Sequence, residues 1–404
     1  MTESKTSGMD RRRFLKAAAG AAGLAIVRPQ AVSGAEANSK IELGLVGCGG
    51  RGRWIARLFE ANGHYKVVAV HDYFKDRADA AAKQSKVDAK RCHTGLAGYK
   101  AVTDGKVDAV AIISPPYFHP EQAAAAVAAG KHVYVAKPIA VDAPGCRSIA
   151  ASGKKATAGK QVFLVDFQTR ADKFYIEALK RVHEGALGKF AFGESTYHCG
   201  RLGKKGDDKT AEGRLRNWVF DKALSGDIIT EQNIHTLDVM NWIMNVPPVR
   251  AFGTGGRTVR VDVGDCWDHF AITFEYPDHV GIAFSSRQFN GHGTKPDGIR
   301  NRMFGSLGVL ETQCGGQVLI RGKNFYRGGS SPGIYPEGAK ANIATFYECI
   351  AGGKYDNPTV APSVRSNLIT VMGRTAAYTG NVVTWDETVK SKEKLDGRLE
   401  GLEA

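Results

Sequence analysis

Ile41-Glu42-Leu43-Gly44-Leu45-Val46-Gly47-Cys48-Gly49-Gly50-Arg51-Gly52 is the stretch that decides the fold of this chain. The run Ile41 to Val46 reads as a buried strand, the glycines as a tight turn, and Arg53 to Glu60 as a helix. A second strand, Tyr65-Lys66-Val67-Val68-Ala69-Val70-His71-Asp72, ends in an acid 25 residues after Gly47. Strand, G-x-G-x-x-G, helix and acid-terminated strand in this order form a dinucleotide-binding arrangement. Gly47 permits the turn, Gly49 lets the backbone approach a pyrophosphate, and Gly52 lets helix and strand pack closely. Gly50 and Arg51 complete the loop. The helix N-terminus offers free N–H groups and a positive dipole to phosphate. Asp72 would accept hydrogen bonds from both ribose hydroxyls and repel a 2′-phosphate, which favours NAD over NADP.

The same alternation continues outward. Val107 to Ile113 reads as a third strand, Pro120 to Ala129 as a helix, His132 to Val135 as a strand, Pro144 to Thr157 as a helix and Gln161 to Val165 as a strand. Short apolar strands alternating with helices predict a parallel sheet covered on both faces, a Rossmann α/β domain. After about Arg170 the rhythm changes. Helical patterns at Phe174 to Glu184 and Glu231 to Met244 give way to β-rich runs, Ala251 to Val261, Trp267 to Tyr276, Val280 to Gln288, Asn301 to Glu311 and Gln317 to Arg321. Successive strands without helices between them predict an open, mainly antiparallel sheet in a C-terminal α/β domain. Helices at Ala341 to Ala351 and Val364 to Thr379 follow; Gly328 to Gly333 reads as an exposed loop and the charged tail from Asp386 as solvated. The organisation expected is a leader over 1–35, a cofactor domain over 36–168 and a second domain over 169–404.

Net charge sharpens the compartment. The chain has 404 residues, with 55 Lys and Arg against 41 Asp and Glu, a formal +14. Within 1–35 lie Lys5, Arg11, Arg12, Arg13, Lys16 and Arg28 against Glu3 and Asp10, so four of those units belong to the leader. Arg11-Arg12-Arg13-Phe14-Leu15-Lys16, the uncharged run Ala17 to Val27 and small residues around Ala35 and Ala37 form an export signal, with an apolar run too short to span a bilayer. It resembles a twin-arginine signal, with Asp10 where Ser or Thr is usual. An exported protein, periplasmic or otherwise extracytoplasmic, carried folded by the twin-arginine machinery, is the expectation. The remaining basic charge has no helix-turn-helix and no aromatic–basic interleaving, which excludes nucleic acid as the partner. Seven scattered cysteines without a CxxC give neither a zinc site nor a redox pair, and no metal is expected.

Two further segments carry chemistry. Lys137, in Tyr134-Val135-Ala136-Lys137-Pro138, lies just past a strand of the parallel sheet, where ligands of such sheets bind. In Gly226-Asp227-Ile228-Ile229-Thr230-Glu231-Gln232-Asn233-Ile234-His235-Thr236-Leu237-Asp238, a continuous helix would put Glu231, His235 and Asp238 on one face, able to orient an imidazole and bind hydroxyls. The same spacing also suits a solvated salt-bridged face, or two metal ligands lacking a third.

Together with Ser114-Pro115-Pro116-Tyr117-Phe118-His119 after the third strand, these motifs resemble the Gfo/Idh/MocA family (glucose-fructose oxidoreductase, inositol dehydrogenase) over about Ile41 to Val383. Ala136 replaces the usual Glu before the lysine, and Glu231 the usual Asp four residues before the histidine. The resemblance implies an NAD(P)-dependent oxidoreductase acting on CH–OH groups of a sugar, polyol or sugar derivative. It implies Lys137, His235 and Glu231 as catalytic, with Lys137, Arg170, Glu231, His235 and Asp238 contacting substrate. Ser114, Pro115, His119 and Lys137 join the glycine loop and Asp72 at the cofactor, and the C-terminal sheet is expected to form a homo-oligomer. Because an exported enzyme has no free NAD pool, the cofactor is expected to stay bound and be recycled within each turnover. An NAD-dependent glycosidase working by transient oxidation, elimination and re-reduction, or a catalytically inactive sugar-binding module, is the alternative.

Overall fold

The computed structural model describes residues 40–404 apart from Pro296; the leader read from the sequence lies outside the described residues. The first layer runs β1 (Ile41–Val46), α1 (Gly50–Asn62), β2 (Tyr65–His71), α2 (Lys75–Ser85), β3 (Cys92–His93), α3 (Tyr99–Thr103), β4 (Ala109–Ile112), α4 (His119–Ala128), β5 (His132–Ala136), α5 (Ala143–Ala158) and β6 (Phe163–Asp166). The strands pair in parallel in the order β3-β2-β1-β4-β5-β6. Their near-continuous Val, Ile, Leu and Ala content follows from burial on both faces. Strand order reverses between β1 and β4, and the crevice at their carboxyl ends is where such sheets take ligands.

The second layer follows α6 (Lys173–His183) and β7 (Phe190–Cys199) with four helices, α7 (Ala211–Arg216), α8 (Lys222–Ser225), α9 (Ile228–Glu231) and α10 (Ile234–Met244). Strands β8 (Arg250–Gly256), β9 (His269–Glu275), β10 (Gly281–Gln288), β11 (Gly298–Gly305), β12 (Gly308–Gln313), β13 (Gln317–Gly322) and β14 (Tyr326–Ser330) come next. The described chain closes with α11 (Ile334–Ala351), α12 (Val360–Thr379), β15 (Val383–Thr384) and α13 (Trp385–Lys390). The sheet order is β14-β13-β12-β11-β7-β10-β9-β8-β15, antiparallel throughout except for the parallel pair β7–β10. Along β10 the buried residues Ile282, Phe284, Ser286 and Gln288 alternate with more exposed ones, so one face turns to the core. The other face is open and carries Phe192 and Phe252 at its surface.

Several elements differ from the sequence reading. Asn301 to Glu311 is no single strand: the chain turns at Ser306-Leu307, between Gly305 and Gly308, and forms the β11–β12 hairpin. β8 stops at Gly256, because Asp268 collects the N–H groups of Thr258, Val259 and Arg260 and folds that segment back. The glycine patch near 328 is an edge strand, paired with β13. The tail is not solvated either: Leu399 and Leu402 pack against a cluster formed by Phe74, Leu215 and Leu224.

The last two long helices position the site by returning to the first sheet. Ala339, Ile343 and Phe346, spaced four and three along α11, face the β1-side core, where the Phe59 ring meets Tyr65, Tyr134 and Phe346 edge-on. Phe346 is fully buried, so Phe346→Ala is expected to cost about 3–5 kcal/mol in chemical unfolding followed by circular dichroism. A loss under about 1 kcal/mol would mean that α11 does not complete this core. On α12, Asn367 accepts from the Ile139 N–H at 3.1 Å and donates to the Ala140 carbonyl at 3.1 Å. Arg374 donates to the Val141 and Gly226 carbonyls at 2.8 and 2.9 Å. These bonds fix the turn after Lys137 against the segment that leads to His235.

Candidate active site

Gly47 has φ +91°, and a Cβ there would lie 2.5 Å from Ser114 N; a Cβ on Gly52 would lie 1.8 Å from the Gly47 carbonyl oxygen. Both positions therefore require glycine. Gly49 and Gly50 are different: among the described residues nothing lies within 4 Å of where their Cβ atoms would be. The first turn of α1 has neither a side-chain cap nor an acid. Open space above Gly49 and uncapped helical N–H groups fit a phosphate-bearing ligand.

Asp72 is buried behind the loop. Its Oδ2 accepts from Cys48 N at 2.7 Å and its Oδ1 from Phe74 N at 3.0 Å, so it pins the glycine turn. A carboxylate has about four lone-pair sites, which leaves room for ribose hydroxyls. A cleft runs from Gly47, Gly49 and Asp72 past Ser114 and Pro115 to Leu215 and Trp218. Leu215 and Trp218 come from the second layer and carry no recognisable signal in the sequence.

His119 stands behind these loops and does not line the cleft. It is 1% exposed, with Nδ1 2.8 Å from the Pro138 carbonyl and Nε2 2.7 Å from the Ser114 carbonyl. Burial outweighs both carbonyls and lowers its pKa to about 4, so at pH 7 the ring is neutral and its one N–H is donated to only one of the two carbonyls. It ties the Ser114 turn to the Lys137 turn, and Ser114 Oγ itself donates to Gln122 Oε1 at 2.5 Å.

The Lys137–Pro138 peptide is cis. Lys137 Nζ donates to the Glu231 carbonyl oxygen at 2.7 Å and lies 3.7 Å from Glu231 Oε1. The helix expected over Glu231 to Met244 is broken here, and the break makes this contact. α9 ends at Glu231, Asn233 N bonds back to Ile228 O, and His235 N bonds to Gln232 O at 3.3 Å. In an unbroken helix the Glu231 carbonyl would take the His235 N–H; freed of it, the carbonyl takes the lysine ammonium. Burial lowers the Lys137 pKa, opposed chiefly by the Glu231 carboxylate, while Arg51 adds to the lowering.

His235 opens α10. It is 8% exposed, its ring centroid lies 4.9 Å from that of Tyr335, and its Nδ1 has no hydrogen-bond partner among the described residues. Burial, then the charges of Lys137 and Arg51, hold its pKa well below 6.5, so the imidazole is a neutral acceptor at pH 7. Asp238 and Arg170 are drawn elsewhere. Arg170 Nε and Nη2 grip the Asp238 carboxylate at 2.9 Å, and Ser366 Oγ donates to it at 2.6 Å. A fully buried carboxylate requires such partners, and the pair braces α10 against the turn after β6 instead of joining Lys137 and His235.

One acid went unread in the sequence. Asp166, fully buried at the end of β6, accepts from Arg51 Nη2 at 3.0 Å and from Asn342 Nδ2 at 2.9 Å. It anchors the arginine of the glycine loop close enough for its charge to act on Lys137. Its signal was available, since it closes a strand of the parallel sheet as Asp72 follows β2.

A doubly wound sheet with an open glycine loop, and a second layer that brings a histidine near the lysine beyond β5, define a dinucleotide-binding α/β protein. Residues 41–164 match the family model described as the Gfo/Idh/MocA oxidoreductase family, NAD-binding Rossmann fold, and residues 175–311 match the Gfo/Idh/MocA C-terminal domain. The chain belongs to the Gfo/Idh/MocA family. It is 31% identical over 206 residues to inositol 2-dehydrogenase of Klebsiella pneumoniae (strain 342), a match covering 51% of this chain and 55% of that relative. The match thus spans about half the length of the relative. Myo-inositol 2-dehydrogenase from Lactobacillus plantarum shares the fold with a TM-score of 0.67 at 22% identity, covering 86% of this chain and 99% of that one. Levoglucosan dehydrogenase in complex with NADH and levoglucosan does so with a TM-score of 0.69 at 17% identity, over 86% and 99%.

Proposed function

We propose that the protein is an NAD-dependent oxidoreductase that acts on a secondary alcohol of a sugar or polyol. The observation that carries this reading is the buried Lys137 ammonium held by Glu231, with a neutral His235 alongside, at the carboxyl edge of the sheet that bears the open glycine loop. NAD, when bound, supplies the hydride acceptor. Gly49, Gly50 and the N-terminus of α1 would hold its pyrophosphate, and Asp72 its adenosine ribose, which favours NAD over NADP. Lys137 would donate a hydrogen bond to the substrate oxygen and stabilise it as its proton leaves. His235 would accept that proton. Glu231 holds the ammonium in place. The inositol 2-dehydrogenase relative supports a polyol-sized substrate.

The leader over 1–35 supports an extracytoplasmic location, and with it retention of NAD between turnovers. Mass spectrometry of native protein purified without added nucleotide tests this: bound NAD(H) is expected, and nucleotide-free protein would contradict retention.

The pH profile follows from the electrostatics. His235 is held well below 6.5, so the acid limb of kcat/KM is expected below pH 6.5; Lys137 is held below 10.5, so the alkaline limb is expected below pH 10.5. The Glu231 carboxylate raises the Lys137 pKa. Glu231→Gln is therefore expected to move the alkaline limb to lower pH, and an unmoved limb would remove Glu231 from this role.

A further inference from the structure

We propose that the adenosine half of the cofactor site is completed by the second layer, with Leu215 and Trp218 as its outer wall, and that the segment 391–404 latches this wall in place. The proposal rests on the NAD reading above. The inner wall of the cleft, Asp72, Phe74 and Arg77, belongs to the parallel sheet and its first turns, whereas Leu215 and Trp218 face it from beyond β7. Leu215 is buried against Phe74 and Leu224, and Trp218 packs on the same cluster.

The wall is tied down on two sides. Towards the first sheet, Arg216 places its guanidinium 3.9 Å from the Phe74 ring centroid and pairs with both oxygens of Asp76 at 2.7 and 3.2 Å. Towards the segment 391–404, the carboxylate of Asp221 is the joint. It is almost fully buried, and its Oδ2 takes Arg214 Nη1 at 2.8 Å from the wall and Arg398 Nη2 at 2.9 Å from the segment. Arg214 Nη2 also donates to the Gly397 carbonyl at 2.6 Å. The segment then reaches the rim of the cofactor cleft: Leu96 N donates to the Glu403 carbonyl at 3.0 Å, and Glu403 N bonds to Tyr73 Oη at 3.2 Å. Leu399 and Leu402 fill the space between. With the wall latched, a nucleotide lying along Asp72 has Leu215 and Trp218 over it, and its release requires the wall to swing out. Trp218 is thus a binding residue and Arg398 a positioning residue acting through Asp221 and Arg214.

The test uses full-length protein loaded with NADH, whose fluorescence anisotropy is followed after a chase with excess NAD. Native protein is expected to bind NADH and release it slowly; if it binds none, the NAD reading itself fails, and this inference with it. Given binding, Trp218→Ala and Arg398→Ala are each expected to speed release by about tenfold or more. Arg398 is 52% exposed, so truncating it leaves the core whole, and its melting temperature is expected to stay near native. Arg398→Lys, which keeps a cation within reach of Asp221, is expected to restore slow release, an outcome that general loosening of the fold would not produce. Native binding together with native release rates in Arg398→Ala would overturn the latch, and native release in a folded Trp218→Ala would overturn the wall.

Discussion

Lys137→Met is expected to lower the rate of the proposed alcohol oxidation by about three orders of magnitude, in a protein expected to stay folded and to bind NAD as the native protein does. Met matches the length of the buried lysine stem, so packing around the turn after β5 changes little, but the ammonium is gone. Among the described residues no other cation lies on the Glu231 carbonyl to take its place. The substrate oxygen would then lose its proton without a positive charge beside it, and His235 would act on an alcohol of ordinary acidity. The positive charge that depresses the His235 pKa also disappears, so the pKa of His235 should rise towards 6.5 and the acid limb should move up. Single-turnover reduction of bound NAD, followed by the absorbance of reduced nicotinamide, reads the rate directly. A rate within about tenfold of native would take Lys137 out of the chemistry.

Gly49→Val is the second large effect, and it separates binding from folding. Position 49 has an ordinary extended backbone, φ −62° and ψ −173°, and nothing lies within 4 Å of its Cβ position. A Cβ is therefore accommodated in the protein without nucleotide, and the stability of that form is expected to change little. The branched side chain would occupy the space through which a pyrophosphate reaches the α1 N–H groups. NAD affinity is expected to fall by about 100-fold or more, about 2.7 kcal/mol. Gly47→Val or Gly52→Val could not make this distinction, because their Cβ atoms collide with backbone in the folded protein itself. Calorimetric titration with NAD is the measurement, and native affinity in Gly49→Val would place the pyrophosphate elsewhere.

Much of this was legible in the sequence, and the rest failed for identifiable reasons. The first sheet could be read because its strands are buried on both faces and separated by helices, so pattern and glycine loop agree. Lys137 and His235 could be singled out as residues, but their relation could not. Helical spacing put Glu231, His235 and Asp238 on one face; the chain instead breaks at Gln232-Asn233, giving the Glu231 carbonyl to Lys137 and Asp238 to Arg170. Nothing local announces that break, which is secured by distant partners such as Arg374 on the Gly226 carbonyl. The segment after Asp386 reads as solvated because its charges outnumber its three leucines. Two of them, Leu399 and Leu402, matter only once Phe74 and Leu215, far away in sequence, form the surface that receives them. Asp166 could have been found by applying to β6 the rule that found Asp72 after β2.

In the proposed reaction Lys137 and His235 move a proton off a carbohydrate hydroxyl while NAD, when bound, takes the hydride. Stopped-flow absorbance on the native protein saturated with NAD, mixed with a panel of inositols, aldoses and anhydrosugars, tests it most directly. At least one member is expected to produce reduced nicotinamide in a single exponential phase that Lys137→Met abolishes. Saturation with NAD followed by no reduced nicotinamide from any member of the panel, or the same phase in Lys137→Met, would contradict it.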